Sequence, residues 1–251
     1  MRGLKPFAIA VLLALALFLL DRQWSVDPTQ QAEWLRAGDV EVRAVRAGAG
    51  DTTLFFLHGY LESLVAWRPL FERFARNYRV VAIDAPGSGL SDKPAGPYTL
   101  GAQEARLSDF LDRWTTGPVI VVGHSMGGEL AAAMVLTVHD PAWIAEPKER
   151  ADYDPVRDPP YRAAATAVMR EFDFGALADS TTRLRQPVLL IWGREDPTIP
   201  FAIGSRVAAT LPCVTFEPLA STMHRPHETD PDTVIALMDR FLARPKCGPA
   251  N

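Results

Sequence analysis

Gly123-His124-Ser125-Met126-Gly127 follows directly on the apolar run Val119–Val122 and opens a segment with a helical pattern. A serine between two glycines at such a junction suits nucleophilic chemistry. The chain must turn so sharply between strand and helix that side chains at 123 and 127 would collide with neighbouring backbone, and the turn lifts the Ser125 hydroxyl above the strand ends. The helix beginning there offers partial positive charge to a developing oxyanion. A serine hydroxyl is a weak nucleophile near neutral pH and needs a base beside it. The candidates are the five histidines, at 58, 124, 139, 224 and 227. A carboxylate must then orient the base, and Glu195-Asp196 stands just after an apolar run.

The runs around these residues give the frame that must position them. Short, nearly all-apolar stretches at Thr53–Leu57, Val80–Ile83, Val119–Val122, Val188–Trp192 and Val214–Phe216 read as strands buried on both faces. Val40–Val45 alternates apolar and polar residues and reads as an earlier antiparallel strand. Helical patterns fall at Trp67–Arg76, Leu100–Trp114, Gly127–Thr137, Tyr161–Glu171, Ser205–Thr210 and Thr233–Leu242. The fold class is therefore α/β, a mostly parallel sheet with helices on both faces. Residues 39–251 are expected to form one domain, and residues 23–38 a linker with a short helical piece around Gln30–Arg36.

Composition narrows the partners. The chain is 48% hydrophobic and 22% charged, with net charge -4 and no long run of either sign. Nucleic acid is not an expected partner, because phosphate binding needs a basic face. No Cys/His cluster has zinc spacing, so no metal is expected. Arg2 and Lys5 precede an unbroken apolar run from Phe7 to Leu20, stopped by Asp21 and Arg22. That run makes only ~21 Å of helix against ~30 Å of hydrocarbon. Residues 1–22 are read as a short uncleaved membrane anchor, with a removed signal peptide as the alternative. The preceding positive charges put the domain on the non-cytoplasmic side, periplasmic or extracellular. There Cys213 and Cys247 could form a disulfide; two free thiols remain the other reading.

From Thr53 to Leu242 the chain resembles the α/β-hydrolase superfamily, in its serine esterase and lipase-like group. The resemblance rests on five motifs in order, each after a strand: His58-Gly59-Tyr60, Asp84-Ala85-Pro86-Gly87-Ser88-Gly89-Leu90-Ser91, the elbow at Ser125, Trp192-Gly193-Arg194-Glu195-Asp196-Pro197, and His224-Arg225-Pro226-His227-Glu228. It implies Ser125 as nucleophile, His224 as general base and Asp196 as the acid that holds the imidazole. It also implies the backbone N–H groups of Tyr60 and Met126 as the oxyanion hole. His227 and Glu195 are the rivals for base and acid. His58 and His124 are expected to bond backbone around the elbow, and Asp84 to organise a loop. Gly87 and Gly89 permit a tight loop rather than a phosphate cradle, since no Lys-Ser/Thr follows.

One departure from the family pattern stands out. The family places a further buried strand after the nucleophile helix, then a lid of several dozen residues. Here the stretch from His139 to Pro160 is charged and proline-rich. The sheet is expected to be one strand short there, with a reduced lid over residues 139–178. The implied activity is cleavage of an ester-like bond (carboxylester, thioester or lactone) in a small apolar substrate through an acyl-enzyme, without a cofactor. Carbon–carbon hydrolysis and perhydrolysis suit the same serine. Epoxide hydrolysis and dehalogenation do not, because the resembling families place Asp at the position of Ser125. The contrasting class is a non-catalytic, membrane-tethered binding protein on a degraded hydrolase fold.

Overall fold

The computed structural model describes residues 32–137, 158–173, 175, 177 and 180–244. Among these, no helix is long and apolar enough to cross a membrane. The apolar run Phe7–Leu20 lies outside the described residues.

The chain enters through a hairpin, β1 (Glu33–Ala37) and β2 (Val40–Ala47), paired antiparallel with Ala37 opposite Val40. From Glu33 onward this corrects the expected linker and its short helix, while residues 23–31 lie outside the described residues. Trp34, Leu35 and Ala37 are buried, and the two-residue connection Gly38-Asp39 turns through a left-handed glycine (φ 59°). That is hairpin chemistry, which needs φ > 0 between two strands.

β3 (Thr53–Leu57), β4 (Arg79–Ile83) and β5 (Val119–Gly123) continue the sheet in the order β1-β2-β4-β3-β5. β3 pairs parallel to both β4 and β5 and is buried along its whole length. Alternate residues serve opposite faces, as the pleat dictates. Phe55, Leu57, Val81 and Ile83 meet α2 (Leu100–Trp114) and α3 (Met126–Thr137) through Leu107, Phe110, Leu130 and Met134. Leu54, Phe56, Val80 and Ala82 meet α1 (Arg68–Phe74), the 3-10 turn Leu64–Trp67 and α7 (Pro231–Ala243) through Leu70, Phe74, Trp67 and Met238. Burying each such side chain contributes about 1.5–3 kcal/mol, so these two layers hold the frame.

β6 (Val188–Gly193) and β7 (Val214–Leu219) form a second, two-stranded parallel sheet. Among the described residues β5 and β6 share no hydrogen-bond ladder. Side chains join them instead. Ile120 and Val122 of β5 pack on the same apolar cluster as Leu189 and Ile191 of β6. On the other face Val188 and Leu190 meet Ala132, Val135 and Leu136 of α3. The segment expected to lack a strand, residues 139–150, lies outside the described residues. Of the lid, α4 (Pro159–Glu171) buries Tyr161, Ala164, Ala167 and Val168. The remaining helices are α5 (Phe201–Thr210) and the short α6 (Pro226–Thr229).

Cys213 is disulfide-bonded; the chain's other cysteine, Cys247, lies outside the described residues. Asp84 does organise its loop. Fully buried, it accepts from the backbone N–H of Leu64 and Leu90, each at 2.8 Å, and faces Arg43 at 3.6 Å. Gly89 leaves room for it, since a Cβ there would fall 2.1 Å from Asp84 Oδ2.

Candidate active site

Ser125 stands between β5 and α3 with φ 51°, one of two non-glycine residues in the left-handed region among those described. The flanking glycines explain how the turn closes. A Cβ at Gly123 would lie 2.1 Å from Gly127 O, and one at Gly127 would lie 2.2 Å from Leu57 O and 2.6 Å from His58 O. Those are backbone atoms of the elbow and the central strand, which cannot give way cheaply. Gly128 differs. Its Cβ would meet nothing nearer than Gly123 O at 3.7 Å, an ordinary contact. Gly127→Ala should lower the thermal midpoint by several degrees, at about 2–4 °C per kcal/mol for a domain of this size, while Gly128→Ala should melt like the parent. Equal melting of both variants by calorimetry would contradict this account of the elbow.

The structure brings the predicted nucleophile, base and acid together. His224 Nε2 lies 3.1 Å from Ser125 Oγ, and His224 Nδ1 lies 2.8 Å from Asp196 Oδ2. Asp196 is held by its own loop, where Oδ1 accepts from the N–H groups of Thr198 and Ile199 at 2.8 and 2.9 Å. Gly193 lets the acid and base loops touch, since a Cβ there would strike Thr222 O and Met223 O at 2.3 Å. The rivals stand apart. Glu195 is exposed and bonds Thr222 O only through its backbone N–H. His227 is buried, packed between Trp67 and His124 with ring centroids 4.5 Å from each, and its Nε2 has no partner.

Tyr60 and Met126, expected as oxyanion donors, stand just after the end of β3 and at the start of α3. Met126 is the first residue of α3, so its N–H has no partner inside the helix. Among the described residues neither its N–H nor that of Tyr60 meets an acceptor. The Tyr60 ring is pinned to the lid helix, its hydroxyl donating to Ala165 O at 3.0 Å, and burial raises its pKa above the usual range. His58 is structural as expected. Its Nδ1 donates to Gly59 O and its Nε2 accepts from Ala85 N–H.

Sequence reasoning missed Glu62. Its Oε2 lies 2.8 Å from Gly59 N and 3.0 Å from His124 Nδ1, while His124 Nε2 lies 2.8 Å from His224 O. Burial alone would raise the Glu62 pKa, but the hydrogen bond and charge of His124, with the Gly59 N–H, pull it down to about 2. His227 is pushed down to about 3 by burial first and by the neighbouring His124 charge second. Glu62, His124 and His227 are the one group among the described residues whose ligand atoms, within 4.8 Å of one another, invite a metal reading. Both His124 nitrogens are already spent on protein acceptors, and donors around zinc at 2.0–2.1 Å must sit closer together. The set is a hydrogen-bonded cluster.

Both shifted groups lie below their ordinary values of 4.5 and 6.5, so each stabilises the fold above its unfolded value and loses that contribution as pH falls. For His227 the window runs from 6.5 down to about 3, and for Glu62 from 4.5 down to about 2. Urea midpoints should therefore decline from pH 6 to pH 4; a flat profile over that range would contradict the buried neutral His227.

Parallel strands feeding a sharp turn at Ser125, with Asp196 and His224 in loops after later strands, define the α/β-hydrolase fold. Residues 52–142 match the family model described as alpha/beta hydrolase fold. The chain is 23% identical over 247 residues to the uncharacterized hydrolase YugF of Bacillus subtilis, spanning 77% of this chain and 90% of that protein. The fold also resembles a solved serine hydrolase involved in carbazole degradation, the CarC enzyme, with a TM-score of 0.72 and 21% identity over 84% of this chain and 98% of that one. An esterase from Exiguobacterium antarcticum matches with a TM-score of 0.71 and 15% identity, again over 84% and 98%.

Proposed function

We propose that this protein is a serine hydrolase that cleaves an ester-like bond through an acyl-enzyme. The observation that carries the reading is the continuous chain Ser125 Oγ, His224, Asp196, closed at 3.1 and 2.8 Å. His224 Nε2 takes the Ser125 proton as Oγ attacks the carbonyl carbon. The oxyanion forms toward the N–H groups of Tyr60 and Met126, and a donor of this kind contributes about 3–4 kcal/mol to the barrier. Asp196 stabilises the imidazolium, which then protonates the leaving alcohol, thiol or lactone oxygen as the tetrahedral intermediate collapses to the acyl-enzyme. Water, deprotonated by the same imidazole, releases the acid and restores Ser125.

An apolar acyl or alkyl group suits the surroundings. Leu61, next to the oxyanion donor Tyr60, is 58% exposed, and Met223, next to the base, is 54% exposed. Exposed apolar side chains beside a reactive serine favour a substrate with a hydrocarbon portion. The esterase and serine hydrolase among the structural relatives support the reaction class, and a pure binding protein would have no need of the strained serine and aligned imidazole. The N-terminal apolar run would tether this activity to a membrane on its non-cytoplasmic side.

The test is covalent. Full-length protein treated with a fluorophosphonate probe should gain one adduct, mapped by mass spectrometry to the Ser125 peptide. Folded protein that stays unlabelled overturns the reading and leaves the binding protein in its place.

A further inference from the structure

We propose that Glu62 and His124 form a buried, charged pair that fastens the oxyanion loop, the nucleophile elbow and the base loop to one another, making both of them positioning residues for the hydrolase reaction. The inference rests on the serine hydrolase reading for its kinetic part, but its structural part stands on hydrogen-bond geometry alone.

His124 has an acceptor at each ring nitrogen. Nδ1 faces the Glu62 carboxylate at 3.0 Å and Nε2 faces the His224 carbonyl at 2.8 Å. A carbonyl oxygen has no proton to give, and the Glu62 carboxyl, its pKa pulled down to about 2 and accepting from the Gly59 N–H at 2.8 Å, is ionised and has none to give either. Both nitrogens of His124 therefore donate, and a ring with two N–H groups is an imidazolium. The side chains of the pair are 9% and 13% exposed, so the charge is held by its partners rather than by water. Gly59 makes the space, since a Cβ there would fall 2.9 Å from His124 Nδ1 and 3.0 Å from Glu62 Oε2.

Among the described residues, the other titratable groups around the ring leave that charge in place. His227, packed against it from α6, is kept neutral by burial first. Arg225 and Glu228, beyond His227, pair with each other at 3.0 Å. His224 is committed to Ser125 and to Asp196. One charge pair thus holds three loops. Glu62 fixes the strand end that presents the Tyr60 N–H, His124 is the residue before the nucleophile, and the carbonyl it grips belongs to the base itself. Displacing a reacting group by about 1 Å can cost on the order of 10²-fold in rate, so this tie acts on turnover more than on substrate capture.

Two measurements on the full chain decide it. In ¹⁵N-imidazole NMR at pH 8, the His124 ring, assigned by its disappearance in His124→Gln, should carry protons on both nitrogens, and in Glu62→Gln it should revert to a single proton. A His124 ring with one proton in the parent protein at pH 8 overturns the pair, whether or not the protein is an enzyme. With p-nitrophenyl butyrate, Glu62→Ala should lower kcat by about 100-fold while KM stays within threefold, and the shape-keeping Glu62→Gln should recover about tenfold of that loss. A folded Glu62→Ala variant, or, if that variant does not fold, a Glu62→Gln variant, with kcat within threefold of the parent overturns the positioning role. Failure of the hydrolase reading is seen separately, as parent protein that takes no fluorophosphonate at Ser125 while the NMR result is unaffected.

Discussion

Ser125→Ala should reduce kcat for p-nitrophenyl ester hydrolysis by at least about 10⁴-fold, with little change in KM, because removing the nucleophile of an interdependent triad removes nearly all that the three residues do together. The side chain makes a 3.1 Å contact with His224 Nε2 and sits at a backbone φ of 51°. Alanine tolerates that φ no worse than serine, so the fold should persist with the same melting midpoint. The loss is then chemical and not structural. Steady-state kinetics on the purified variant, with circular dichroism as the control for folding, make the comparison. Retention of more than about one hundredth of the parent rate would mean that another group attacks the ester and that the elbow has been misread.

The second large effect is expected at Asp196→Asn, about 10⁴-fold in kcat near neutral pH. The reason can be read from which oxygen does what. Oδ1 accepts two backbone N–H groups, from Thr198 and Ile199, and Oδ2 faces His224 Nδ1. An asparagine must keep its oxygen toward the two backbone donors, which places its NH₂ group where Oδ2 was. That group donates, so His224 Nδ1 must become an acceptor and the ring proton moves to Nε2. Ser125 then meets a donor in place of a base. The substitution preserves shape, so KM and stability should change little. A loss of less than tenfold in kcat would show that the carboxylate does not govern the imidazole tautomer.

Most of the frame was legible because its signals are local. Thr53–Leu57 and Leu100–Trp114 are found at the bounds that their patterns suggest, since an all-apolar run of five residues and a long amphipathic run each favour one structure strongly. The proposed triad was legible for a different reason: a resemblance in motif order pointed to residues that spacing alone could not connect. What escaped notice depended on distant neighbours. β1 was read as linker because Trp34 and Leu35 are flanked by polar residues, although Gly38-Asp39 carried a hairpin signal. Glu62 carries no motif of its own. Its importance comes from His124, 62 positions away in sequence, and only the approach of two loops exposes it. Gly128 looked like its neighbour Gly127, and the difference lies in which backbone each Cβ would strike.

That β5 and β6 share no ladder among the described residues has a consequence for how Ser125, His224 and Asp196 are kept aligned. Ser125 is carried by one hydrogen-bonded raft of strands, Asp196 and His224 by another, and across the described residues the rafts are moored by apolar side chains and by contacts around the imidazole. Apolar contacts have no direction, so they fix distance better than register. Among the described residues the directional bonds across the join include His224 with Ser125, His124 with the His224 carbonyl, and Arg73 of α1 with Asp239 of α7. In this molecule the reactive centre is thus part of what keeps the two halves in line.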